Sequence, residues 1–199
     1  MDTLGRGTGR LYAGREDRAI YMTSFATTRL ASGGRSQPLE FDWNVRFTRP
    51  ATIQAYVYWR SCCGDRPMPR REDLDPRAMR GFSPHVGLIE IRQDLAPHTE
   101  YFIRRAGGKW EDVYGPITGR YIHEFLPPEI EPSWRAVFDT VRERMAPVRV
   151  RTGIDFQNKT WLTTEMLVAP LGTQERITML FMTFVAWSTA EFSGETGLS

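Results

Sequence analysis

Arg176-Ile177-Thr178-Met179-Leu180-Phe181-Met182-Thr183-Phe184-Val185-Ala186-Trp187 is the stretch on which the reading of the fold turns. It is too short to span a bilayer, which takes about 20 apolar residues. It reads instead as the longest β-strand of the chain. Ile177, Met179, Phe181, Val185 and Trp187 fall on one face, and Leu180, Met182, Phe184 and Ala186 on the other. An antiparallel strand with one face in water would alternate apolar and polar side chains. Both faces of this strand therefore have to be covered, the second either by an N-terminal helix or by another subunit.

Two strands precede it. Val148, Val150 and Thr152 alternate with Arg149 and Arg151, and Trp161 to Ala169 forms the second. The short links at Gln157-Asn158-Lys159 and at Pro170-Leu171-Gly172-Thr173-Gln174-Glu175 favour antiparallel pairing. Ahead of these lies the clearest helix, Pro132 to Ala146. Trp134, Val137, Phe138, Val141 and Met145 make one apolar stripe along it, with Arg135, Asp139, Arg142 and Glu143 on the wet side.

Further upstream, Val86 to Ile91 and Glu100 to Arg105 read as a strand pair joined through Asp94, Pro97 and His98. Between Gly107 and about Pro128 the glycines leave room only for short helical turns, around Trp110 to Tyr114 and Tyr121 to Phe125. Gly107, Gly115 and Gly119 suit turns with positive φ. Pro50, following Thr48, opens a helix carrying Ile53, Tyr56, Val57 and Arg60 on one face and stopping at Gly64. Asp75-Pro76 offers the start of another short helix ending near Gly81. Phe41 to Phe47 alternates and reads as a short strand or an extended segment. The expected fold is α+β: a five-stranded antiparallel sheet with helices packed on one face, plus an N-terminal helix.

Residues 1–40 are rich in Gly, Ser, Thr and Arg without apolar periodicity, and read as a disordered or loosely docked arm. The domain is expected over 41–192, with a polar tail at 193–199. Hydrophobic residues at 41% and charged residues at 25% suit one globular domain within the 199 residues. A net charge of +2 is too small to mark a dedicated nucleic-acid binder. The first residues lack a basic region followed by an apolar run, so the chain reads as cytoplasmic, with no membrane partner.

Four further stretches stand in order along the chain: Tyr58-Trp59-Arg60-Ser61 ahead of Pro67 to Pro76; Pro84-His85-Val86-Gly87-Leu88-Ile89-Glu90-Ile91; Tyr101-Phe102-Ile103-Arg104-Arg105-Ala106-Gly107; and Tyr114-Gly115-Pro116-Ile117-Thr118-Gly119-Arg120. Together they resemble a PAS-like family of bacterial proteins, found mainly in alphaproteobacteria as single-domain chains. The resemblance covers about residues 50 to 190. It implies a PAS-like fold and a sensory or regulatory domain, usually dimeric, that signals by touching another protein. It implies no catalytic residue, so no enzymatic activity is expected.

Candidate chemistry is sparse. A PAS-like sheet and its helices commonly enclose an apolar pocket, which Trp110, Tyr114, Tyr121, Phe125, Phe138 and Met166 would line; close packing of the same side chains as plain core is the competing reading. His123 is the one candidate axial ligand for a haem. His85, His98 and His123 show no metal-ligand spacing with each other or with Cys62 and Cys63, which read as two reduced thiols at a helix end. Arg66, Arg70, Arg71, Arg77 and Arg80 form a cluster that would suit a nucleic-acid adaptor. Glu72, Asp73 and Asp75 interleave with it and weaken its field.

Overall fold

The computed structural model describes residues 39–93, 99–154 and 162–188. The expected arm up to residue 38, the link containing His98, the turn at 157–159, Trp161 and the tail lie outside the described residues. Strand β1 spans Glu40–Asp42, β2 Val86–Arg92, β3 Glu100–Arg105, β4 Val148–Ile154, β5 Leu162–Gly172, β6 Ile177–Thr183 and β7 Val185–Ser188. Helix α1 spans Pro50–Cys63, α2 Gly108–Tyr114 and α3 Glu131–Arg144. All strand pairs are antiparallel, in the order β1-β4-β5-β6-β2-β3, with β7 also on β5.

The sheet thus has seven strands where five were expected. One addition is the short β1, formed by the start of the 41–47 alternation. The other comes from a break in the long strand at Phe184. Val168 pairs with Met182 and Glu165 with Val185, so the register continues across the break. Within it the Leu167 N–H donates to Thr183 Oγ1 (3.1 Å), while the Phe184 N–H donates to the His85 carbonyl (2.9 Å), one rung on from the Val86–Thr183 pair of β2 and β6.

Strand alternation splits the core in two. Ile89, Ile103, Val150, Met166, Val168 and Met182 face α2 and α3. Val86, Leu88, Leu167, Ala169, Leu171 and Phe181 face α1 and the segment carrying Met68, Leu74, Met79 and Phe82. The helices expected on one face are α2 and α3, and α1 takes the other. The second face of the long strand is therefore covered by its own chain, which settles the choice left open by the sequence. The short helix expected from Asp75 does not form. Residues 76–82 make turns, and Asp75 accepts the Arg77 N–H at 2.8 Å.

Helix α1 is seated by polar bonds as well as by packing. Pro50 occupies its first turn, where a missing N–H costs nothing. The N–H groups just ahead of it find their acceptor far along the chain. The fully buried Glu165 carboxylate accepts from Thr48 N (3.0 Å), Thr48 Oγ1 (2.8 Å) and Arg49 N (2.8 Å), and pairs with Arg149 at 2.7 Å. Burial alone would raise the pKa of this carboxyl. The donors from Arg49, Thr48 and Arg149 outweigh burial and hold it below its ordinary 4.5.

A carboxyl depressed on folding stabilises fully above its unfolded pKa and loses that contribution as pH falls through the folded value. The urea midpoint is expected to fall on acidification below about pH 4.5, and more steeply in the wild type than in Glu165→Gln. Equal slopes for the two proteins over that window would show that Glu165 is not the group responsible.

Candidate functional site

Between the sheet and α2–α3 the packing leaves a cavity of about 30 Å³. Four strand residues (Ile89, Ile103, Met166 and Met182) form its floor, with Phe184 from the strand break. Trp110 and Tyr114 of α2, Ile122, Phe125 and Leu126 of the following turn, and Trp134 and Phe138 of α3 close it. Such a volume holds about one water molecule in space, and apolar walls give a water too few polar partners to stay.

Aromatic contacts fix the walls. The Phe184 ring lies 5.5 Å from both Trp110 and Tyr114, Tyr114 packs edge-on to Phe125 at 6.0 Å, and Trp134 meets Phe138 at 5.8 Å. Trp110 is anchored at its far end by Nε1 donating to the His85 carbonyl (2.7 Å). Its ring passes so close to β2 that a Cβ on Gly87 would sit 2.8 Å from it, which is why the strand carries glycine there. Gly107 has a related role. Its φ is −77°, not the positive value expected, while Gly115 and Gly119 are positive at 76° and 84°. A Cβ on Gly107 would stand 2.3 Å from the Pro84 carbonyl oxygen, so close approach, not turn geometry, demands the glycine.

Burial pushes the Tyr114 phenol well above its ordinary pKa. Behind Phe138, the buried Tyr101 packs on its ring at 4.9 Å and donates to Asp139 at 2.5 Å. Burial and that carboxylate both raise the Tyr101 phenol, so both tyrosines are neutral hydroxyls near neutral pH.

Of the six residues expected to line a pocket, Trp110, Tyr114, Phe125, Phe138 and Met166 do so. Tyr121 does not. It bridges to Phe102 on the outer edge of β3, packs on that ring at 5.2 Å, stacks on His123 and accepts from Arg92 at 2.9 Å. Its neighbour Ile122 takes the inward position. The liners that sequence reasoning missed on β2, β3 and β6 are legible in strand alternation, since Leu180, Met182 and Phe184 fall on one face.

His123 is half-exposed, lies 3.3 Å from Glu100 and does not line the cavity. His85 Nδ1 lies 2.9 Å from the Phe184 carbonyl. Among the described residues no three His, Cys, Asp or Glu side chains gather as a metal site. Cys62 and Cys63 are free thiols; Cys63 is buried, and burial raises its pKa. In the arginine cluster, Arg66 pairs with Asp73 at 2.6 Å and Arg70 approaches Glu72 at 3.9 Å, so part of its charge is met locally. Among the described residues no helix is long and apolar enough to cross a membrane.

An antiparallel sheet with α2, α3 and short helical turns packed over an apolar cavity on one face, and α1 on the other, is a PAS-like build. The chain belongs to the PAS domain family: the family model described as PAS domain matches residues 47–185. That span runs from the start of α1 into β7 and so contains both faces of the core. No curated protein matches the chain.

Proposed function

We propose that this protein is a non-catalytic regulatory module that acts by binding a partner protein and a second copy of itself, with the cavity as the site where a small apolar ligand acts on it. The observation that supports protein binding is on α1. Ile53 is 42% exposed and Val57 is 61% exposed. They stand one helical turn apart, on the side turned away from the sheet. Large apolar side chains on one exposed helical stripe mark a contact surface. Light scattering at micromolar concentration is expected to give a dimer, and Val57→Glu a monomer with unchanged thermal stability. A clean monomer from the wild type would overturn the dimer.

The cavity supports the ligand reading by its chemistry. Its walls are apolar, and Met166 and Met182 are the side chains best able to shift and enlarge it. At about 30 Å³ it is far too small for a haem or flavin without such movement. Native mass spectrometry and an absorption spectrum of the purified protein test this. A bound small mass without a visible band is the expected result. A haem or flavin band would replace the reading with a cofactor sensor, and a bare chain would leave protein binding as the whole function. The nucleic-acid adaptor reading is weaker, because the carboxylates within the arginine cluster already engage Arg66 and Arg70.

A further inference from the structure

We infer that the α1 side of the sheet, beyond the start of that helix, carries an oxyanion site in which the Arg151 and Arg49 guanidiniums take a phosphoryl group. It lies across the sheet from the cavity and stands or falls apart from the reading of that cavity.

Strand alternation places it. Helix α1 covers the second half of β5 together with β6 and β2, where Leu167, Ala169, Phe181 and Leu88 meet it. Val150, Met166 and Ala186 belong to the core on the cavity side, so their neighbours Arg151, Glu165, Val185 and Trp187 point the other way. The register sets Arg151 of β4 opposite Glu165 of β5, and Glu165 opposite Val185 of β7. Arg49, just ahead of α1, donates its N–H to Glu165 (2.8 Å) and lays its guanidinium 3.7 Å from the centre of the Trp187 ring. Arg49, Arg149 and Arg151 thus stand around one carboxylate. Arg49, Arg151 and Trp187 are all half-buried, so solvent reaches the group.

The charges there do not balance. Glu165 is saturated by Thr48, the Arg49 N–H and Arg149. Asp42, the next acid on this face, pairs with Arg46 at 3.4 Å and meets Arg149 at 4.0 Å. Arg151 shares in neither. Its Nε is buried and finds no hydrogen-bond partner among the described residues. Glu40 stands opposite it on β1 but is exposed, and the two form no ion pair. A buried guanidinium nitrogen left without an acceptor forfeits the hydration of a charged donor. A bound anion restores what it lacks. Stacking on Trp187 holds the plane of the Arg49 guanidinium, which preorganises a second fork nearby. Two guanidiniums beside a carboxylate that is already neutralised offer two positive charges. A phosphoryl dianion matches them, and a single carboxylate does not.

Inorganic phosphate, titrated into the full chain at constant ionic strength with chloride, is the probe. The Arg151 Nε–H resonance, assigned by its loss in Arg151→Gln, is expected to shift and to saturate in the millimolar range. Acetate over the same range is expected to leave it in place. By calorimetry, Arg151→Gln is expected to weaken phosphate binding about tenfold or more. Arg151→Lys keeps the charge, loses the fork, and is expected to weaken it about threefold. O-phosphoserine in place of phosphate separates the sources. Tighter binding assigns the phosphoryl group to a larger phosphorylated ligand, and equal or weaker binding assigns it to the free ion. In phosphate-free buffer Arg151→Gln is expected to unfold at the wild-type urea midpoint or above it, because the wild-type guanidinium has no bond to lose. A lower midpoint, or failure to fold, would show that the chain itself engages Arg151 and would overturn the inference. An unmoved Arg151 resonance, or an equal response to acetate, would overturn it as well.

Discussion

Replacing Phe184 by alanine is expected to lower stability by about 3–5 kcal/mol and to convert the small cavity into a ligand-binding one. The side chain is 1% exposed and stands between Trp110 and Tyr114, with Met166 and Met182 across the floor. Removing it deletes the transfer energy of a buried ring and leaves a hole that the surrounding walls fill only in part, because five of them are rigid aromatics. A hole enlarged by about 100 Å³ with such walls stays dry and takes up benzene or xenon. Urea unfolding measures the loss, and a rise in the midpoint on adding benzene measures the binding. A loss under about 1 kcal/mol with no response to benzene would mean that the walls collapse and that the cavity is ordinary core. Retained stability-linked binding would show that the space responds to apolar ligands once it is large enough.

Trp59→Ala is expected to cost a similar amount, about 3–5 kcal/mol, for a different reason. Trp59 is wholly buried between α1 and β5, near-parallel to Tyr56 at 6.3 Å. Its Nε1 donates to the Pro170 carbonyl at 3.0 Å. Alanine empties the contact and leaves a buried carbonyl unsatisfied. Trp59→Phe separates the two losses. It keeps most of the ring and gives up the hydrogen bond, for about 1–3 kcal/mol. Equal losses for the two variants would place the whole contribution in the hydrogen bond and remove α1 packing from the account. The sequence favours a core role for this tryptophan beside a surface Arg60, and the structure places them so, Trp59 inside and Arg60 exposed.

Much of the fold was legible residue by residue. The stripe of Trp134, Val137, Phe138 and Val141 announced α3 because 3.6-residue spacing brings them to one side, and all four are buried. The two apolar faces of 176–187 announced a strand covered on both sides. What stayed hidden has a common cause. The break at Phe184 falls where the Thr183 hydroxyl takes the Leu167 N–H from across the sheet, and nothing in the 176–187 pattern marks it. Tyr121 lies in a turn that hydrogen-bonds along β3, with Ile103 N–H to the Arg120 carbonyl at 2.8 Å, and this pairing turns its ring outward. Helical spacing, used to place it, does not apply to such a segment. Glu165 reads as an unremarked acid within an apolar strand, yet it lies on the same face of the sheet as Arg149 of β4.

The sequence by itself determined α1, α3, the five main strands and their antiparallel pairing, because periodicity, short links and turn residues act over a few neighbours; the family followed from the resemblance of four stretches. It also determined five of the six expected cavity walls. Only the tertiary structure decided that α1 covers the second sheet face, that the cavity closes to about 30 Å³, and that Glu165 holds the start of that helix. Each of these depends on contacts between residues far apart in the chain, and close packing resolves such contacts at the scale of one side-chain rotation, which a one-dimensional pattern does not encode.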